Sequence, residues 1–396
     1  MPASKTSTSI GLEPVYWTIL KLELAFLRRQ STTYLFFVVL FLMSFFTMSS
    51  DVIQLEGGIG VVYKNSPAAI AQLMAVLTAV GQVITTGVVG TAILRDVQLK
   101  AHELLFTTRT TRLGYLGGRF TGALIGMLAI YAAIPIGTFL GTLMPWVDHD
   151  KLQPFNLASY THPFFILVVP SVIFISALFF AVGALTRNLF AIYTQGIALL
   201  VSWSISQNIL GNLDRLTLAA NIDPFGITPL GLLTRYWTVA ERNSRQISLT
   251  GALLTNRLIW LAIAAALIVA AFALVRLEAE PRKLTLRGWR RRPQPGASRT
   301  PSAPVAVLAT PAVTQHFDFA ARWRQLLGQA WFFVVAMVRD PIFLTIAFIS
   351  VVNVALSAWF VDVQYGTAIW PTTGEMLISV INGSYLFIVI LTTIYA

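Results

Sequence analysis

The sequence predicts an all-α, polytopic membrane protein, and three observations predict it. First, the chain is 56% hydrophobic and only 11% charged, with mean hydropathy +0.71, where a soluble domain carries about 25% charged residues. Second, apolar runs recur at the length of a bilayer crossing, about 20 residues at 1.5 Å each. Third, Lys and Arg gather in alternate connections between those runs, which orients a chain in a membrane. The net charge of +11 therefore reads as membrane orientation, and nucleic acid is not an expected partner. Cys is absent, which excludes disulfides and thiolate metal sites.

Taken in order, residues 11–30 form a helix with Val15, Ile19, Leu22 and Phe26 on one face, expected to lie at the lipid interface. Tyr34–Ser50 is an uncleaved first span, because Glu13 and Glu23 interrupt the preceding stretch and no small-residue cleavage site follows. Asp51–Pro67 is a turn; its Gly57, Gly58 and Gly60 lack the G-x-x-x-x-G-K-S/T spacing of a phosphate loop. Ile70–Leu94 is the second span. Arg95–Arg119 is too polar to follow it into lipid, since each Arg, Lys or Asp at a helix centre costs roughly 2.5–3.5 kcal/mol. Within it Asp96–Phe106 has helix-favouring residues and no Gly or Pro, so a short surface helix is expected.

The third span, Phe120–Pro145, is entered on a ridge of Gly114, Gly118, Gly122 and Gly126, with Gly137 and Gly141 beyond Pro135. Small residues four apart let another helix approach closely, either in the same chain or in a second unit. Pro135 should kink the span. Val147–His162 is a polar connection whose Asp148, His149 and Asp150 adjoin Lys151, a poor setting for a metal. Pro163–Thr186 and Leu189–Leu210 are the fourth and fifth spans, turned tightly at Arg187 and Asn188. Gly211–Thr255 is the longest polar connection, and Leu258–Val275 is the sixth span.

Residues 277–314 are basic and rich in Pro and Ala, a linker with no core of its own. In 315–396 the pattern restarts. Phe319–Val338 is a second helical lead-in, Ile342–Val361 a seventh span and Met376–Ala396 an eighth, so a second unit is expected to begin here and be cut short. With the N-terminus inside, 21 of the 28 Lys and Arg face the cytoplasm.

Little in these residues points to chemistry. His102-Glu103 opens an H-E-x-x-H pattern, but Phe106 stands where the second His belongs. The spans so drawn carry no Asp, Glu, Lys or Arg inside them, unlike ion-coupled carriers, which bury such groups near the midplane. Gln82, Thr85, Thr86, Gln195 and Asn353 are the polar residues inside spans, placed for interhelical hydrogen bonds or for a substrate path.

One segment carries a family likeness. Arg95-Asp96 after the second span, then E-L-L-x-T-T-x-T-x-R-L-x-Y-L-x-G-R from Glu103 to Arg119, resembles the permeases of type-2 ABC exporters. The resemblance covers residues 1–276 and implies a six-helix permease unit followed by a second, truncated one. It implies that Arg95, Asp96, Glu103, Leu104, Thr107, Thr108 and Arg112 belong to a coupling segment that docks on a separate ATP-binding subunit. It implies further that ATP and Mg bind to that partner, with no cofactor, metal or catalytic residue in this chain. A second permease unit and membrane lipid are the other partners, in a bacterial cytoplasmic membrane with the N-terminus cytoplasmic. D-P-F-G at Asp223–Gly226, T-x-Y-W-T-x-x-E-x-N from Thr234 and N-R-L-x-W from Asn256 look like a subgroup with tandem units, some followed by a membrane-tethered zinc aminopeptidase. The alternative is therefore that the spans anchor a catalytic domain lying beyond residue 396.

Overall fold

A computed structural model describes residues 13–50, 62–98, 111–210, 215–275 and 319–339, with isolated positions from 343 to 368. The described residues are helical apart from their connections and a two-residue antiparallel pair, Val363–Gln364 with Thr367–Ala368. The chain divides into two compact units, Met1–Leu277 with Pro341–Ala396, and Glu278–Asp340.

In the first unit, α1 (Glu13–Arg29) and α2 (Ser31–Ser49) are separated by one extended residue, Gln30. Then comes α3 (Pro67–Gln98). Next, α4 (Arg112–Tyr131) and α5 (Ala133–Thr142) form one rod broken at Ala132, because Pro135 has no N–H to give the Tyr131 carbonyl. A π turn, Phe164–Val168, joins α6 (Leu157–Pro163) to α7 (Val169–Thr186); Pro170 removes a regular donor beside it. Arg187, at φ 50, closes α7 before α8 (Leu189–Ile209). Three short helices follow, α9 (Leu216–Ile222), α10 (Ile227–Thr234) and α11 (Val239–Ser244), then α12 (Gly251–Leu274). The second unit contains α13 (Phe319–Arg339), with Trp323, Trp331, Phe332 and Phe333 exposed on it.

Five of these segments are long and apolar enough to cross a membrane: Ser31–Ser49, Pro67–Asp96, Arg112–Thr142, Leu157–Thr186 and Gly251–Leu274. The protein is an all-helical integral membrane protein on that evidence. Among the described residues these five coincide with the expected first, second, third, fourth and sixth spans, and the expected fifth is helical as α8. The expected seventh and eighth spans lie almost wholly outside the described residues.

The glycine ridge sets the packing of the first half. α1 and α2 run in the same direction as α4 and α5 and lie along them. Gly114 faces Val15, Gly118 faces Tyr16 and Ile19, Gly122 faces Glu23, and Gly126 faces Leu27; farther on, Gly137 faces Phe41 and Ser44, and Gly141 faces Phe45 and Met48. A Cβ at Gly118 would stand 2.8 Å from the Tyr16 carbonyl oxygen, and one at Gly122 2.7 Å from the Glu23 Cβ. The ridge therefore admits helices of the same chain. It also fixes which side of α1 is buried: Ile19, Leu20, Glu23 and Leu27. Leu22, expected on the apolar face, is 50% exposed.

Two apolar clusters share α3. One takes Ile70, Leu73, Met74 and Leu77 with Leu40, Met127 and Tyr131; the other takes Ala71, Ala75 and Ala79 with Phe174, Phe179 and Phe225. Two sequence expectations change here. The charged residues are not excluded from the long helices: Asp96 continues α3, Arg119 lies inside α4 and Arg257 inside α12. And the connection after α8 is not merely polar, since Ala219, Ala220 and Phe225 are fully buried. In both places local charge misleads because a partner elsewhere in the chain neutralises or hydrogen-bonds the polar group.

The ridge makes a paired prediction. Gly122→Ala should lower stability by about 1–3 kcal/mol through overpacking against Glu23. Gly87→Ala, where a Cβ meets nothing within 4 Å, should be neutral or stabilising by up to about 1 kcal/mol, because alanine is the better helix former. Thermal unfolding of the purified proteins in one detergent checks both.

Candidate functional site

The ridge carries Glu23 into the protein along with its apolar neighbours, and burial then decides what must surround it. Its side chain has no solvent exposure. Its Oε2 accepts from Arg95 Nη2 at 2.6 Å and from Arg119 Nη1. Arg119 in turn donates through Nη2 to both oxygens of Asp96, at 2.7 and 2.6 Å. Tyr115 Oη donates to Asp96 Oδ2 at 2.6 Å. The Arg95 guanidinium also lies over the Phe26 ring, 3.6 Å from its centroid, a cation–π contact.

Each element positions its share. α1 presents Glu23 and Phe26 on adjacent turns. The last turn of α3 supplies Arg95 and Asp96, and α4 presents Tyr115 and Arg119 four residues apart on one face. Two carboxylates and two guanidiniums make a neutral set, which is how charges persist in an apolar interior. Arg119 is 3% exposed and Arg95 18%, so the set opens toward solvent on the Arg95 side.

The knot closes a loop in the chain. Residues 99–110 leave from the end of α3 and return at Thr111, whose Oγ1 caps α4 by accepting from Gly114 N at 3.2 Å. Arg119 and Asp96 therefore bind together the two roots of that segment, and Glu23 ties both to the N-terminal helix. Of the sequence candidates, Arg95 and Asp96 enter the knot, whereas Arg112 is exposed and takes no part in it. Glu103, Leu104, Thr107 and Thr108 lie outside the described residues. Tyr115 and Arg119, noted in the sequence as part of the likeness, prove to be knot members.

Glu23 is the residue that sequence reasoning missed. The available signal was an acid four residues after Ile19 and four before Leu27, in line with the residues that are buried. Gln82 and Thr85 are taken up by helix contacts: Gln82 Nε2 donates to the Gly196 carbonyl at 3.3 Å, and Thr85 Oγ1 shares a 3.1 Å hydrogen bond with Tyr131. Thr86 and Gln195 bond carbonyls of their own helices. Asn353 lies outside the described residues. At the far end of α3, burial pushes the Asp223 carboxyl above the usual carboxylate range, against the N–H groups of Thr228 and Phe225 and the nearby Arg257. Among the described residues no group of three His, Cys, Asp or Glu is placed to hold a metal ion.

Comparison with protein-family models, with curated proteins and with solved structures found no match for this chain.

The knot is testable by a double-mutant cycle. Glu23→Gln and Arg119→Gln should each destabilise by about 3–5 kcal/mol, because each leaves a buried charge short of a partner. The double variant should lose less than the sum by at least about 1 kcal/mol. Strict additivity in chemical or thermal unfolding would show that the two side chains do not depend on each other.

Proposed function

We propose that this chain is the membrane-spanning permease subunit of an ATP-driven exporter. A separate ATP-binding subunit would hold ATP and Mg, and would act on the segment between α3 and α4. The observation that carries the reading is the ion knot at the roots of that segment. A push on residues 99–110 reaches α3 and α4 together, since Asp96 and Arg119 hold the two helix ends in one body, and it reaches α1 through Glu23.

The distribution of charge in the long helices supports an external source of energy. Among the described residues, the charged groups of these helices lie within about two turns of a helix end. Ion-coupled carriers instead keep titratable groups near the midplane. The N-terminus and the 99–110 segment lie on the cytoplasmic side of a bacterial membrane in this reading, which follows from the placement of Lys and Arg. A second permease unit completes the transporter.

The test has a sidedness arm and an activity arm. Lys100→Cys, introduced into this Cys-free chain, should react with an impermeant maleimide in inside-out vesicles and stay unlabelled in right-side-out ones. The reverse result would place the segment beyond the reach of any cytoplasmic ATPase and sink the reading. With the ATP-binding subunit co-purified, Glu103→Lys should abolish permease-stimulated ATP hydrolysis while leaving the unfolding temperature within about 2 °C of the parent, as for a surface substitution. Undiminished stimulation would remove the coupling role from this segment.

A further inference from the structure

The second compact unit contains a helix whose chemistry differs from that of the five candidate spans. α13 has 21 residues, enough to cross a bilayer, yet it is not among the helices apolar enough to do so. Arg322, Arg324, Gln325 and Gln329 interrupt its first half, and an arginine resists insertion at a helix centre. Its apolar residues instead keep to one side. Phe319, Trp323, Leu326, Ala330 and Val334 recur at intervals of three and four, the spacing of a single helix face. All five are exposed, Phe319 to 74%. Gln325 and Gly328 fall on the opposite side, with Arg324 at the margin.

The charge of α13 says what such a face meets. The helix carries three Arg and no Asp or Glu. The chain arriving at it has the same sign, with seven Lys or Arg between 282 and 299 and no acid from 282 until Asp318. A surface that accepts both a basic margin and a row of large apolar side chains is a bilayer with anionic headgroups. Trp323 and Trp331, both exposed, suit the level where acyl chains give way to headgroups, because the ring is apolar and its N–H is not.

A seat like that of α1 does not fit this helix. α1 rests on a glycine ridge through Ile19 and Leu27 and gives Glu23 to two arginines. With the terminal residues Arg29 and Arg339 superposed, Phe333 stands where α1 has Glu23, and Gln329 where it has Ile19. The acid that an arginine pair would require is missing, and an amide replaces an apolar contact. Helix pairs in lipid also favour small residues where they touch, whereas this face is built of Phe, Trp and Leu.

We propose that α13 is a membrane-surface helix that recognises anionic lipid. Its aromatic face sinks to the acyl chains while its arginines reach the headgroup phosphates. The inference goes beyond the ATP-driven reading and does not depend on it.

Single cysteines in this Cys-free chain test it on the full-length protein, in nanodiscs with graded fractions of phosphatidylglycerol in phosphatidylcholine. Ala330→Cys reports the apolar face and Gln325→Cys the opposite one. Each carries a nitroxide whose collisions with oxygen and with a water-soluble nickel chelate are compared. In discs rich in phosphatidylglycerol the label at 330 should favour oxygen and the label at 325 nickel. In pure phosphatidylcholine both should favour nickel. Arg324→Gln combined with Arg339→Gln should lower the bound-to-free ratio at a fixed lipid composition by at least about tenfold, at roughly fivefold for each cationic side chain. An unchanged ratio overturns the proposal, as does lipid contact at 330 that is the same with and without phosphatidylglycerol. Protection of both positions from both reagents overturns it by marking contact with protein, in this chain or a second copy. Nickel contact at both positions in every composition overturns it by leaving α13 in water.

Discussion

A carboxylate denied all solvent must be met by positive charge, and the packing of α1, α3 and α4 is arranged around meeting that demand at Glu23. Leaving one such group unpaired costs several kcal/mol, a large fraction of the whole stability of a typical domain. The glycine ridge of α4 brings α1 close enough to bury Glu23, and the same closeness brings Arg119 within reach of it. Arg119 cannot serve Glu23 alone, so Asp96 balances it, and Arg95 completes the neutral set. Three helices distant in sequence are thereby fixed in register at one level.

Much of the architecture was legible because lipid imposes simple rules. Long apolar runs had to be helices, and Pro135 and Pro170 sit beside the breaks at Ala132 and Phe164–Val168. Glycines four apart announced a close helix contact, though not its partner. Periodicity failed where a polar residue stood on a buried face. Glu23 looked like an interruption of an apolar segment, and Leu22 took its place in the expected stripe. Arg257 stood just before the sixth span as drawn from the sequence, yet it is buried against Gly226 and Ser171. The chain between α8 and α12 looked like a solvated connection because its carbonyls are satisfied by side chains of other helices. Those pairings run across 13 to 54 residues of sequence, and no local window contains them.

The two apolar clusters centre on α1, α2, α4 and α5 in one case and on α8, α10 and α12 in the other. α3 and α7 belong to both, and Phe120 and Ile268 touch each cluster. Polar fastenings reinforce each part at opposite ends: Glu23 to Arg119 in the first, and Asn256 to the Asp223 carbonyl with Arg257 to Ser171 in the second.

The parallel seating of α1 on α4 has a consequence for how the chain is made. Val15 meets Gly114, Glu23 meets Gly122 and Leu27 meets Gly126, so each partner is synthesised roughly a hundred residues after the side chain that waits for it. At about 5–20 residues per second, the N-terminal helix stands for several seconds with its acid uncompensated while the ribosome completes the hairpin that will receive it. During that interval α1 has no berth in the bilayer, and water, headgroups or a chaperone must shelter its acidic face until the third span arrives.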